Sequence, residues 1–122
     1  MKDIFKDLIV IEGVHGVIVL SAAGVLVTSR FSERYRDEAL RVEKFNWEPF
    51  VLELGELAEA DFLFDQRRIY LRKIKHGFLM VIMADIAPVS MVRLNCEVLL
   101  PELDVAKLSG GKVGRFLKKK IF

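Results

Sequence analysis

Two stretches of this chain, Val14 to Leu20 and Phe78 to Ala84, are apolar on both alternating faces, and they limit its fold more than any other feature. Neither approaches the roughly 20 residues that a membrane-spanning helix requires, so each reads as a strand. A strand without a polar face belongs inside a sheet with helices covering it. The chain has 122 residues, 52% of them hydrophobic, which is enough for one core to form without disulfides or a structural metal. The lone Cys96 has no internal partner for a bridge. With no leader-like segment at the start, the expected compartment is the cytoplasm.

Around these two strands the remaining elements fall into order. Ile4, Phe5, Leu8, Ile9 and Ile11 recur at helical spacing and predict a first helix, stopped by Gly13. Val14 to Leu20, interrupted only by His15 and Gly16, passes through Ser21-Ala22-Ala23-Gly24 into Val25 to Thr28, the pattern of a hairpin. Residues 29 to 45 mix charge and bulk without a clean period. A helical reading uses Tyr35, Ala39 and Val42, an extended one Leu40 and Val42, and both stay open. Asn46 as N-cap, with Glu48 and Pro49 in the first turn, predicts a helix from Trp47 to Ala60. Its apolar stripe is Trp47, Phe50, Val51, Leu54, Leu57 and Ala58.

Three strands follow: Phe62 to Phe64, Arg68 to Ile74 and Phe78 to Ala84, separated by turns at Asp65-Gln66-Arg67 and His76-Gly77. Alternation in the middle one sets Ile69 and Leu71 against Arg68, Tyr70 and Arg72, which predicts one wet face. A last helix, capped by Asp85 and with Pro88 in its first turn, carries Val89, Val92, Cys96 and Leu99 on one side and Met91, Leu94 and Val98 on an adjacent one. Pro101 is expected to end it. The fold class is α+β, an α-ββ-α-βββ-α sandwich with a five-stranded antiparallel sheet.

No set of residues for catalysis stands out. His15 and His76 belong to no group of nucleophile, base and orienter, and one cysteine with two separated histidines gives no zinc-ligand spacing. Cys96 lies among apolar neighbours, as a small buried hydrophobe does. Ser109 to Gly114 lacks the spacing of a phosphate loop. The expectation is a chain that is not an enzyme, with no metal and no cofactor.

Charge divides the chain in two. Residues 1 to 106 hold 13 Lys and Arg against 17 Asp and Glu, while 107 to 122 hold six basic residues and no acidic one. The body lacks a spread basic face, which argues against a nucleic-acid partner. This division gives a domain over 1 to 106 and a flexible basic tail over 107 to 122, jointed at Ser109-Gly110-Gly111. In the tail Lys112, Arg115, Phe116, Lys118, Lys119 and Lys120 can dock an acidic partner surface, lie on an anionic membrane, or stay solvated. The membrane is the least favoured of the three.

The 47–60 helix holds an oddity. Leu52 and Gly55 fall opposite its core stripe, flanked by Glu48, Glu56 and Glu59, and a glycine inside a helix costs about 1 kcal/mol against alanine. A second helix crossing at Gly55 and packing on Leu52 offsets that cost, so dimer packing is expected here. Phe62 and Phe64, on a short apolar edge, add to the same expectation.

The order of elements, together with Ile11-Glu12-Gly13-Val14-His15-Gly16-Val17-Ile18-Val19, Gly24-Val25-Leu26-Val27 and the Arg68 to Ala84 hairpin, resembles the roadblock family, also called dynein-light-chain roadblock, of the profilin-like and longin-related group. The likeness covers about residues 1 to 103. Ala23 stands where the family often has an acidic residue, and segment 29 to 45 is longer than usual. The resemblance implies a homodimer or heterodimer in which middle helices pack antiparallel and sheets join edge to edge, presenting a platform to Ras-like small GTPases. It implies a regulator or scaffold, in some members one that stimulates GTP hydrolysis by the partner. It carries Glu48, Leu52, Gly55, Glu56 and Glu59 onto the pairing helix and carries over no catalytic residue. A small-molecule-binding sensory domain of similar sandwich fold is the alternative, disfavoured because no polar residues converge among the core positions.

Overall fold

The computed structural model describes residues 4 to 64 and 66 to 105. The elements are α1 (Lys6–Ile9), β1 (Val14–Ser21), β2 (Leu26–Phe31), a 3-10 turn (Glu33–Tyr35), α2 (Arg36–Lys44), α3 (Glu48–Leu54), β3 (Glu59–Phe64), β4 (Arg67–Ile74), β5 (Gly77–Ala84) and α4 (Val89–Val105). The strands form one antiparallel sheet in the order β2-β1-β5-β4-β3. β1 and β5, the two strands apolar on both faces, are paired along their lengths inside the sheet. Every residue of β1 is buried.

Helices cover both sides. On one face α1 and α4 enclose Phe5, Leu8, Val17, Val19, Tyr70, Leu79, Val81, Met83, Val92, Cys96 and Leu103; on the other α2 and α3 sit over Ile18, Leu20, Val42, Val51, Leu71, Phe78, Met80 and Ile82. Alternation along β1 and β5 sends successive side chains into these two cores. The result is the three-layered α+β sandwich expected from the element order.

Four local expectations are corrected. The helix predicted over 47–60 ends at Leu54, because Gly55 takes φ 55° and ψ −121°, a combination that terminates a helix and that side chains disfavour. The glycine is therefore a stop rather than a helix-interior defect, and β3 begins at Glu59, three residues earlier than expected. Segment 29–45 resolves into the end of β2, the 3-10 turn and α2, with Val42 buried as the helical reading requires. Pro101 lies inside α4, not at its end. Beyond it Leu103 is fully buried and Asp104 accepts the backbone N–H of Lys75 at 2.7 Å, so tertiary contacts hold the last turn despite the lost helical bond. At the other end α4 starts at Val89, and Asp85 sits in the preceding turn rather than at the cap.

The face of β4 bearing Arg68, Tyr70 and Arg72 is not wet: α4 lies across it and Tyr70 is fully buried. Both arginines keep their charge at the margin by pairing, Arg68 with Asp61 (2.7 Å) and Arg72 with Glu97 (3.4 Å).

Cys96 is buried under α4, and its thiol is pushed up to about 12, chiefly by burial. Folded protein at pH 8 is therefore expected to give almost no reaction with a thiol-disulfide reagent over minutes, and one equivalent of reaction after denaturation. Rapid labelling in the folded state would contradict this placement.

Candidate partner interface

α3 starts at Glu48 with Pro49 in its first turn, as its sequence predicts, but Trp47 rather than Asn46 holds the cap position; Asn46, one residue further out, accepts the backbone N–H of Glu48 on Oδ1 at 3.3 Å. It rests on the sheet through Val51, with Trp47, Phe50 and Leu54 half-buried beside it. Leu52 faces away and is 73% exposed. Glu48, Glu53 and Glu56 are exposed on the same short segment, so its outer surface is acidic around a single leucine.

From Leu54 the chain runs through Gly55 to Ala58 into β3, whose pairing among the described residues is with β4 alone. β3 is therefore a sheet edge, with Leu63 68% exposed on it. Phe62 is half-buried, and Phe64 pairs with Arg67 in the β3–β4 register. The edge predicted from Phe62 to Phe64 thus exists, and it is longer than expected.

Glu59 lies elsewhere than expected. It is a β3 residue facing α4, where it accepts a short hydrogen bond from Tyr70 and pairs with Arg93 at 2.9 Å, Arg72 being 3.9 Å away. The Tyr70 hydroxyl above all holds the Glu59 carboxyl below its ordinary range, with Arg93 and Arg72 acting in the same direction, while burial and the Glu59 bond raise Tyr70. Of the residues expected on one helix face, Glu48 and Leu52 share it. Gly55 and Glu56 belong to the turn, and Glu59 ties β3 to the opposite layer. The tail residues Lys112, Arg115, Phe116, Lys118, Lys119 and Lys120 lie outside the described residues.

A second cluster escaped sequence reading. The register of β1 against β5 shifts between Val14 and Gly16, a bulge that re-aims His15. Its ring stacks on Tyr35 with centroids 3.7 Å apart, and its Nδ1 lies 3.2 Å from Glu38 Oε2. Glu38, 7% exposed, accepts Arg67 Nε at 2.8 Å through its other oxygen. The expectation that no polar residues converge in the core is thereby overturned. Glu38 stands four residues before buried Val42, and a carboxylate on the buried stripe of a helix demands partners. That was the available signal, hidden because segment 29–45 shows no clean period.

Between the two short helices the chain turns through Phe45, Asn46 and Trp47. Phe45 packs edge-on to Trp47 at 4.6 Å, Trp47 edge-on to Phe50 at 5.6 Å, and the indole N–H of Trp47 donates to the Val42 carbonyl at 3.1 Å. This aromatic corner walls a half-open cavity of about 420 Å³ floored by Ile69, Met80 and Ile82, with Glu38, Arg41 and Arg67 at its polar margin. On the other layer, Met91, Leu94 and Val98 form an exposed row on α4, outside the buried Val92 and Cys96. No described helix is long and apolar enough to cross a membrane, and no group of His, Cys, Asp or Glu among the described residues has the arrangement of a metal site.

No protein-family model matches the chain, and no curated protein sequence does either. Solved structures do. The chain is similar to MglB of Myxococcus xanthus, with 15% identity and a TM-score of 0.60 over 83% of this chain and 85% of that one. It is similar to an MglB with tetrameric arrangement, with 10% identity and a TM-score of 0.55 over 93% and 84%. A Roadblock/LC7 domain from Streptomyces avermitilis matches with 11% identity and a TM-score of 0.52 over 82% and 94%. At such identities the likeness concerns the path of the backbone, and with the sheet order and layering described above it establishes that this chain has the roadblock fold.

Proposed function

We propose that this protein is a non-catalytic dimeric regulator or scaffold that binds a Ras-like small GTPase in the cytoplasm. The observation that carries the proposal is the β3 edge, which no second described strand pairs, joined by four residues to a helix that exposes Leu52. An apolar edge strand left open invites another chain, and a second copy supplies the matching edge by symmetry. The roadblock fold supports the reading, since the resemblance to that family implies edge-to-edge sheet pairing and a surface read by small GTPases. So does the tetrameric arrangement of the structurally similar MglB, an assembly of that protein through a related scaffold. In this reading Glu48, Leu52, Glu56, Phe62 and Phe64 border the seam, with Gly55 setting the turn between helix and strand. Glu59 braces β3 from behind. The basic tail adds a salt-dependent contact to an acidic partner.

The seam is best tested at Leu52. Leu52→Glu places a fourth carboxylate beside Glu48, Glu53 and Glu56 on a solvent-exposed site, so the fold should be retained. The dimer is expected to weaken at least tenfold, giving monomers at micromolar concentration by light scattering. An unchanged molar mass would exclude α3 from the interface. Gly55→Glu is unsuitable for this purpose, because any side chain at φ 55° strains the turn whether or not a partner is present.

A further inference from the structure

The cavity between α2 and α3 is lined by residues of a single chain, and among the described residues assigned to the proposed seam Phe62 alone lines it. Its volume of about 420 Å³ lies in the range of small-molecule sites, and its wall is mostly apolar and aromatic, with a few polar groups gathered at one margin. Closely packed interiors rarely leave space of this size. It is built in here: α2 stops at Lys44, α3 starts at Glu48, and the indole bond from Trp47 to Val42 holds the break between them open above Ile69, Met80 and Ile82.

Charge at the margin selects the ligand. Glu38 is already held by Arg67 and His15, so its charge is matched. Arg41 makes no ion pair or hydrogen bond with any described residue, which leaves one guanidinium at the mouth of an apolar space. A guanidinium fork fits a carboxylate bidentately. We propose that this cavity binds a small amphipathic carboxylate, its acyl or aryl body lying against Trp47, Phe50 and Phe62 and its head group meeting Arg41.

Trp47 is the chain's only tryptophan and lines the cavity, so its fluorescence reports occupancy directly. Decanoate and decanol, two probes with the same body, are titrated below the concentration at which decanoate forms micelles. The expected result is a saturable change in Trp47 emission with one decanoate per chain, at least tenfold tighter than decanol. Arg41→Gln is expected to bring the two probes level. Ile69→Phe, read by calorimetry, is expected to weaken decanoate at least tenfold by occupying the floor. The same titration on the Leu52→Glu monomer is expected to match wild type, which separates this site from the proposed seam. No saturable response, or decanoate affinity untouched by both Arg41→Gln and Ile69→Phe, would overturn the proposal. So would binding by the Leu52→Glu monomer alone, because a second copy would then be what covers the cavity.

Discussion

Gly77→Ala is expected to cost about 3 kcal/mol or more, enough to leave much of the protein unfolded at moderate urea concentrations. Gly77 opens β5 opposite Ser21 at the end of β1, and a Cβ built there falls 1.9 Å from the Leu20 carbonyl oxygen. That neighbour is backbone, so no side-chain rotation relieves the clash. The added methyl must push apart the two strands on which both cores are assembled. Gly55→Ala is the instructive contrast. Nothing lies within 4 Å of a Cβ placed on Gly55, and the loss there comes only from a positive φ, about 1–2 kcal/mol. Equilibrium urea unfolding followed by circular dichroism ranks the two variants. Equal midpoints would refute the register of β1 on β5.

Glu38→Ala should be the second large effect, about 2–4 kcal/mol. The substitution removes the acceptor shared by His15 Nδ1 and Arg67 Nε and leaves a void under α2. Three segments distant in sequence depend on that carboxylate: the β1 bulge, α2 and the start of β4. Glu38→Gln retains the hydrogen-bonding shape without the charge and should cost less. A Glu38→Ala midpoint within experimental error of wild type would show that α2 is held by Val42 and its neighbours without the polar cluster.

What could be read from the sequence follows from which forces are local. Strands apolar on both faces announce their own burial, so β1 and β5 and their central place were legible, as was the order of elements apart from α2, which lies in the segment without a clean period. Leu52 was legible as well, because opposite faces of a short helix separate within one turn. The end of that helix was not. Leu57 and Ala58 continue the helical period beyond Gly55, and only the backbone dihedrals of Gly55 reveal that the chain has already turned. Pro101 misled in the other direction, since burial of Leu103 and the Asp104 bond outweigh the missing N–H. Arg68 and Arg72 made a covered face look wet, because they flank the fully buried Tyr70 while their charged ends find acids. Least legible was the cluster of His15, Glu38 and Arg67, whose members lie 23 and 29 residues apart and meet only through the tertiary fold.

The two exposed features of the candidate seam have a common consequence. Only four residues separate α3 from β3, so in the proposed dimer a partner copy that pairs with β3 also lies close to α3. Contacts made together in this way gain from each other's ordering, which favours one defined dimer over a range of loose associations. The paired surface would then present twice any patch that a GTPase reads, with symmetry fixing the separation.

The most direct test is molar mass by light scattering at micromolar concentration, carried out alone and with a Ras-like GTPase from the same cell loaded with GTP or GDP. A mass of twice the 14.0 kDa chain, rising further with the GTPase in one nucleotide state, is the predicted result. A 14.0 kDa monomer at every concentration, unchanged by the GTPase in either nucleotide state, would contradict it.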